Sequence, residues 1–418
     1  MRRASLALYL GIVLLTGTAG GAEEKNEIAE LKKVVEKQSR QIEKLMGRIE
    51  RLEAKLAERE ERTEKIAERR LPEAASWVER INLHGDLRYR HELIKAEGND
   101  DRNRQRIRAR VGLDAKVAET VRVGFQIATG SDDPVSTNQT LDGGFSSKDV
   151  WIDLAYFDWH PVSLSGLHVL GGKMKNPFYR PGKTELIWDG DLRPEGVAAR
   201  YAKTLDNWDF FTNLGCFWVE ERSSDADTGL FGAQAGVKYS FPFLGDKGHV
   251  LIGSSYYDYG STKGKAPIYD PDDPFGNSLD AGGNYRFDYN LVESFVEFGF
   301  RFHDIPVSLF GDYVVNTASG VREGRGWLAG LTVGKCKVPN SWAFRYNYRD
   351  IEADAVLGAF TDSDFIGGGT DGRGHEIGFD YQIAKHWQAG VTYFHNERKL
   401  SSGEKGYQRL QLDLIFKF

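Results

Sequence analysis

The last twelve residues, 407–418, read Tyr-Gln-Arg-Leu-Gln-Leu-Asp-Leu-Ile-Phe-Lys-Phe. Apolar and polar side chains alternate along this stretch, and successive side chains of a β-strand point to opposite faces of the sheet. The apolar face carries Leu410, Leu412, Leu414, Phe416 and Phe418, and the polar face carries Arg409, Gln411, Asp413 and Lys417. The stretch ends on an aromatic residue and its alternation recurs many times upstream, which is typical of an outer-membrane β-barrel.

Sixteen alternating stretches follow one another from Ile81 to Phe418, separated by clusters of Gly, Asp, Asn and Pro. Short connections alternate with long ones, and the long ones include 131–148, 175–195, 261–284 and 352–372. Outer-membrane barrels made from one chain have an even number of strands, with short turns at one end and long loops at the other. The pattern therefore predicts an all-β transmembrane fold, a 16-stranded antiparallel barrel spanning residues 81–418.

The amino terminus has the features of a secretory signal peptide over residues 1–22. Two arginines precede an apolar run from Ala4 to Leu15, and small residues lie just before Glu23. This run is too short to cross a bilayer as a helix, which takes roughly 20 apolar residues, and no later stretch approaches that length. Membrane insertion is therefore expected to occur through strands.

Residues 23–70 are rich in Glu, Lys and Arg and carry an apolar heptad seam that begins at Ile28. The seam includes Leu31, Val35, Ile42, Leu45, Ile49, Leu52 and Leu56. Such a repeat predicts an α-helical coiled coil, followed by a linker over 71–80 that contains Pro72. β-branched residues at the a position of the heptad, together with Leu at the d position, favour a coiled coil of two helices. We expect the coil to lie in the periplasm and to self-associate.

Arginines occupy alternate positions of the second predicted strand and recur on its neighbours. They are Arg104, Arg106, Arg108 and Arg110, with Arg88 and Arg90 on the first strand and Arg122 on the third. A period of two places each set on one face, so we predict that they line the pore and favour anions. Alternatively, they pair with lumenal acids and stiffen the wall; the acids considered are Asp114, Glu293, Glu297, Glu376 and Asp380. An arginine-rich run also fits nucleic acid, but the signal peptide disfavours that reading.

The third outer loop, about 175–195, contains Trp188, Asp189 and Asp191. A loop that folds into a wide barrel narrows its channel, and carboxylates facing an arginine wall would create a transverse field. We therefore expect an inward-folded constriction loop, with an outward surface loop as the alternative.

No catalytic signature is present. The nine histidines are scattered along the chain, and none belongs to a His-Glu-x-x-His motif. No Gly-x-Ser-x-Gly or paired-cysteine motif occurs either. Cys216 and Cys336, the two cysteines, are expected to be unpaired. We expect no enzyme activity, cofactor or metal site.

Three segments resemble the bacterial putative porin family, which is related to the general trimeric porins. They are Ala-Thr-Gly-Ser-Asp-Asp-Pro-Val-Ser-Thr-Asn-Gln-Thr at 128–140, Gly-Gly-Lys-Met-Lys-Asn-Pro-Phe at 171–178 and Trp-Asp-Gly-Asp-Leu-Arg-Pro-Glu-Gly at 188–196. The resemblance implies a sixteen-stranded trimeric barrel with a constriction loop. It carries over Lys173, Lys175, Asp189, Asp191 and Glu195 as candidate pore residues. The coiled coil departs from general porins, and the choice between dimer and trimer stays open.

The expected function is passive diffusion of small hydrophilic solutes and ions across the bacterial outer membrane, with a preference for anions. Two alternatives remain: an envelope tether whose coil binds peptidoglycan or another cell-wall polymer, and a substrate-specific channel for phosphate-like anions. The expected partners are outer-membrane lipid, further copies of this chain and the diffusing solutes, and nucleic acid is not expected.

Overall fold

The computed structural model describes residues 22–67, 80–244 and 246–418. The predicted signal peptide and linker lie outside these residues, apart from Ala22 and Arg80 at their edges. The chain forms two units, 1–77 and 78–418.

The first unit contains the helix α1 (Ala22–Ala67). Seam side chains that the structure describes are exposed, among them Ile42 at 55%, Leu45 at 57% and Leu52 at 56%. In the described residues, no helix combines the length and hydropathy needed to cross a membrane. The helix is confirmed, whereas its pairing into a coiled coil stays a prediction.

The second unit is built from sixteen strands. They are β1 (Ile81–Ala96), β2 (Arg102–Ala118), β3 (Val121–Thr129), β4 (Val150–Trp159), β5 (Leu167–Lys173), β6 (Glu195–Leu205), β7 (Trp208–Glu220), β8 (Thr228–Phe243), β9 (Asp246–Tyr259), β10 (Tyr289–Phe302), β11 (Ile305–Asn316), β12 (Arg325–Gly334), β13 (Trp342–Ile351), β14 (Gly372–Ala384), β15 (Trp387–Arg398) and β16 (Lys405–Lys417). One further two-residue strand, Gln139–Thr140, pairs with β2 from within a loop.

Each strand pairs antiparallel with the next, and β16 returns to pair with β1. At this closing seam, Leu87 lies opposite Phe416, and Gly85 exchanges two backbone hydrogen bonds with Phe418 at 3.0 and 3.1 Å. A Cβ atom on Gly85 would lie 2.4 Å from the carbonyl oxygen of Arg110, so the close approach requires glycine. The predicted closed 16-stranded antiparallel barrel is confirmed.

The two faces of the barrel differ as the alternation predicts. On β16, Leu412, Leu414 and Phe416 are about 40% exposed and point outward, whereas Arg409 and Gln411 are only 2% exposed and point inward. Because lipid contacts the outer face and water the lumen, this polarity is the reverse of a soluble protein's. The two cysteines are both free, as expected.

The longest connections join strands at one end of the barrel. We name them L2 (130–149), L3 (174–194), L5 (260–288) and L7 (352–371). The hydrophobic core lies where these loops meet one another and the inner wall, and includes Trp188 of L3, Tyr285 of L5 and Leu357 of L7, each at most 2% exposed. The loops therefore contribute to packing and position the residues described next.

Candidate pore constriction

The register of β1 and β2 places arginines directly opposite each other. Arg88 faces Arg108, and Arg90 faces Arg106. Like charges in such positions repel. A wall of this kind is stable only if carboxylates lie among the guanidinium groups.

Asp86 supplies one of these carboxylates. Its Oδ2 accepts hydrogen bonds from Arg108 Nε and Nη2 at 3.0 and 2.8 Å, and its Oδ1 accepts from Arg110 Nε at 2.7 Å. The side chain is 11% exposed, so these three charge-assisted bonds form away from bulk water. Asp86 on β1 thus holds two arginines of β2 in place. We use the name arginine ladder for the six predicted pore-lining arginines of these two strands, Arg88, Arg90, Arg104, Arg106, Arg108 and Arg110.

Glu92 is the second carboxylate and is fully buried. It accepts a hydrogen bond from Arg409 Nη2 at 2.6 Å and another from Arg104, and Arg90 Nη1 lies 3.6 Å away. Asp413 in turn accepts from Arg90 Nε and Nη2 at 2.7 and 2.8 Å. The closing seam between β1 and β16 thus carries a continuous network of ion pairs inside the barrel.

These acids differ from those considered in the sequence. The described ion pairs of the six predicted pore-lining arginines on β1 and β2 involve Asp86, Glu92, Asp191, Asp364 and Asp413. The earlier candidates have other partners or none among the described residues: Asp114 lies near His84, Glu297 near His249, Glu376 near Arg349 and Asp380 near Arg345. Alternation along a strand predicts the face on which each arginine lies. The carboxylate with which it pairs depends on the register between strands and on the path of the loops.

L3 makes contacts on opposite walls. Near one end, Asp191 Oδ1 lies 3.4 Å from Arg110 Nη1 on β2. Near its other end, the amide of Gly182 and the hydroxyl of Tyr179 donate to Glu297 Oε2 on β10 at 3.1 and 2.6 Å. In a ring of sixteen strands, β2 and β10 lie eight positions apart, which is the full width of the barrel.

A glycine and a buried tryptophan hold L3 in this position across the barrel. Gly182 has a φ of +57°, and a Cβ atom there would lie 2.4 Å from the ring of Phe310. Glycine is therefore required both for the backbone conformation and for close contact with β11. Trp188, buried against Phe178 and Tyr257, anchors the middle of the loop.

L7 also reaches the ladder. Its Asp364 lies 3.1 Å from Arg90 Nη1 and 2.7 Å from Arg409 Nη2, joining the loop to the closing seam. Its Asp362 lies 2.9 Å from Arg349 Nη1 on β13. L7 therefore adds two carboxylates to a site for which the sequence had suggested only L3.

L3 and L7 are joined by hydrogen bonds. The Asp189 amide donates to the carbonyl of Phe360 at 2.9 Å, and the Ser363 amide donates to Asp189 Oδ2 at 3.0 Å. Thr361 Oγ1 donates to the carbonyl of Glu185 at 3.0 Å. The two loops therefore form one connected element against the wall.

A cavity of about 380 Å³ lies between these loops and the wall. Six cationic side chains line it: Arg88, Arg90, Arg108, Lys183, Arg345 and Arg349. Six acids also line it: Glu185, Asp189, Asp191, Asp362, Asp364 and Glu376. Three of these cations lie on β1 and β2, and Arg88 differs from Arg90 and Arg108 because it forms no described ion pair; its side-chain hydrogen bond goes to the neutral amide oxygen of Asn138.

The loop acids differ in their pKa values. Burial, together with the Asp191 and Asp362 carboxylates, raises the pKa of Asp189 well above its usual range. Burial and the Asp189 carboxylate likewise raise the pKa of Glu185 well above its usual range. Although burial opposes it, the Arg108 and Arg110 guanidinium groups lower the pKa of Asp191 to about 2. Asp191 is therefore charged at neutral pH, whereas protonation is favoured at Asp189 and Glu185.

The remaining predicted site residues lie away from this cavity. Arg122 is exposed on β3, and Lys175 is exposed at the start of L3. Lys173 and Glu195 are cross-strand partners at the ends of β5 and β6 rather than loop residues, and their side chains form an ion pair of 2.7 Å. Of the residues assigned to the constriction loop, only Asp189 and Asp191 line the cavity.

The site also contains residues that sequence reasoning missed. They are Arg349, Asp362, Asp364 and Arg409. Arg409 was recognisable only as a polar-face residue of β16, and Asp362 and Asp364 lie in a loop without periodicity. The one available signal was the length of L7, because long unstructured connections are often functional.

Comparison with solved structures finds barrels of the same kind. The chain is similar to Pseudomonas putida OprB, with 12% identity, a TM-score of 0.54 and coverage of 82% of this chain and 96% of that one. Salmonella typhi OmpF, in a complex with daunomycin, has 12% identity, a TM-score of 0.48 and coverage of 81% and 97%. The outer-membrane channel DcaP of Acinetobacter baumannii has 15% identity, a TM-score of 0.46 and coverage of 81% and 97%. At 12% identity, the likeness to OprB establishes the fold alone.

Comparison with curated proteins finds no match. The sequence profile of the family described as "Putative porin" matches residues 93–273 and 275–418, which is most of the chain and nearly all of the barrel. The chain therefore belongs to the putative porin family.

Proposed function

We propose that this outer-membrane channel allows passive diffusion of small hydrophilic solutes and ions and prefers anions. Family and fold point to a channel rather than an enzyme. The observation that carries the anion preference is the cavity between L3, L7 and the arginine wall, where the guanidinium of Arg88 has no carboxylate partner among the described ion pairs. In this proposal L3 and L7 together form the constriction.

The charge balance of the cavity supports this preference. Its six cations and six acids would cancel if all were charged. Burial favours the neutral acid forms of Asp189 and Glu185, which shifts the charge balance of the cavity toward positive. A positively charged pore lining attracts anions and repels cations.

The test is the reversal potential of the mature protein in a planar bilayer under a potassium chloride gradient. We expect ohmic conductance steps and a reversal potential displaced toward that of chloride. A potential displaced toward that of potassium would contradict the anion preference, and folded protein without steps would contradict the channel itself.

Anion preference should fall as the pH rises. Because the pKa values of Asp189 and Glu185 are raised, both groups are neutral below those values and become negative above them, which removes net positive charge from the cavity. Reversal potentials between about pH 5 and pH 9 measure the effect. The paired substitution Asp189→Asn and Glu185→Gln should give a nearly flat profile, and a slope equal to that of the unmodified protein would exclude these groups as its source.

We also propose that α1 self-associates in the periplasm and that the assembly is a homotrimer, as the relation of the family to the general trimeric porins implies. The observation that supports self-association is the apolar seam of α1, where Ile42, Leu45, Ile49, Leu52 and Leu56 are each more than half exposed. An exposed apolar stripe of this kind is stabilised when another helix covers it. Lipid around the barrel and solutes within it complete the proposed partners.

Deletion of residues 23–70 tests the role of the helix. We expect unchanged single-channel conductance and selectivity but a smaller assembly, or one that dissociates at lower temperature, in native electrophoresis and light scattering. Unchanged assembly would show that the seam does not drive association. Detachment of the envelope in cells, without a change in permeability, would instead favour the tether that binds the cell wall.

A further inference from the structure

Three side chains that commonly bind metals converge at the end of the barrel that carries the short turns. Asp158 is near the end of β4, His160 is the first residue after β4, and His168 is the second residue of β5. One potential ligand atom from each lies within 4.8 Å of the others. None of the three lines the cavity at the constriction.

Strand geometry accounts for the convergence. Residues two apart on a strand share a face, so Asp158 and His160 point to the same side. The register of β4 and β5 places Asp158 opposite Leu170, and continuing it brings His168 opposite His160. The amide of His160 donates to the carbonyl of Thr120 at 2.9 Å, which holds the start of this turn in place.

The distances suit a shared ligand. His168 Nδ1 lies 2.9 Å from Asp158 Oδ1, and His160 Nδ1 lies 4.0 Å from the same oxygen. Ligand atoms that bind a tetrahedral metal ion at 2.0–2.2 Å lie about 3.4 Å from one another. This value falls between the two separations seen here. Small side-chain rotations would therefore bring both nitrogens and the carboxylate to a single ion.

A second observation points to a missing partner. Nδ1 of His160 is buried and has no hydrogen-bond partner in the described part of the chain. The imidazole rings of His160 and His168 stack with centroids 5.6 Å apart. A metal ion bound to Nδ1 of His160 would supply the missing partner, because imidazole nitrogen is a common metal ligand.

We propose that Asp158, His160 and His168 bind one late first-row divalent metal ion, with Zn²⁺ as the reference. Two imidazole nitrogens and one carboxylate oxygen are a ligand set that Zn²⁺ accepts, with water in the fourth position. Mg²⁺ and Ca²⁺ favour sites built from oxygen and are not expected to compete. The bound ion would cross-link the end of β4 to the start of β5 and so stabilise the turn between them. This role does not involve solute diffusion through the constriction.

Two arginines flank the site in the sheet. Arg122 lies opposite Asp158 on β3, and Arg200 lies opposite His168 on β6. Their charges oppose a cation, but both side chains are exposed and therefore screened by solvent. Arg122→Ser should consequently tighten metal binding, most clearly at low ionic strength.

The test uses the mature protein, refolded in detergent without a polyhistidine tag and stripped of metal. Zn²⁺ binding is measured by competition with a chromophoric chelator, and folding is checked by circular dichroism. We expect one ion per chain, and His160→Ala, His168→Ala and Asp158→Asn should each weaken binding by about tenfold or more. His249→Ala is the matched control, because His249 lies 3.9 Å from Glu297 without a second histidine and should leave the affinity unchanged.

Equal affinity in the unmodified protein and in the His160→Ala, His168→Ala double variant would overturn the proposal. So would an affinity lost equally on His249→Ala substitution. If an alanine variant does not fold, the same comparison is made with His160→Gln and His168→Gln, which keep a polar side chain of similar size. Because the measurement does not depend on ion flow, a negative result would leave the proposed channel function untouched.

Discussion

Replacing Arg88 with glutamate is expected to reverse the ion selectivity of the channel from anions to cations. The substitution changes the charge at the cavity by two units, and it does so at a residue that forms no described ion pair with a carboxylate. Because a charged group at a constriction acts through a low-dielectric surround, one such change is expected to alter the chloride-to-potassium permeability ratio by about tenfold.

The fold should tolerate this change. Arg88 lies directly opposite Arg108 and shares its face of β1 with Arg90, so a glutamate at this position would have two cationic neighbours. Removing Arg108 instead would leave Asp86 with one partner fewer. Arg88 therefore separates selectivity from stability better than the other ladder arginines do.

Arg122→Glu is the matched control for Arg88→Glu. It changes the net charge equally, but Arg122 is exposed on β3 and does not line the cavity. The measurement is the reversal potential under a potassium chloride gradient at two ionic strengths. Equal shifts in the two variants would show that net charge, rather than position at the cavity, sets the selectivity.

Replacing Arg349 with methionine is expected to loosen both inward loops and enlarge the pore. Arg349 is 1% exposed, lies 2.9 Å from Asp362 and donates to the carbonyl of Glu185 in L3 at 3.3 Å. Its guanidinium also lies 4.4 Å from the ring centroid of Phe365 in L7. Removing one partner of a buried ion pair costs about 3–5 kcal/mol, because the remaining charge is left uncompensated.

Two measurements test this expectation. The free energy of unfolding in urea should fall by that amount, and single-channel conductance should rise with more open-channel noise as L3 and L7 leave the lumen. The double variant Arg349→Met, Asp362→Asn should recover part of the lost stability, because it removes the unpaired carboxylate. A stable Arg349→Met variant with unchanged conductance would show that other contacts hold the loops in place.

Much of the barrel follows from the order of residues along the chain. Side chains alternate with a period of two on every strand, a local property, so the outward Leu412 and Leu414 and the inward Arg409 could be assigned without knowing their neighbours. The strand count and the alternation of short turns with long loops followed from the same pattern. The heptads of residues 23–70 indicated α1 in the same local way.

The constriction depended on contacts between distant parts of the chain. Arg90 and Asp364 are 274 residues apart in sequence, and Arg409 and Glu92 are 317 apart. No periodicity links such residues, and their approach requires both the closure of β16 onto β1 and the inward path of L7. The sequence alone thus determined which face each arginine occupies, whereas only the tertiary structure decided which carboxylates neutralise it, because charge pairing depends on distance in space.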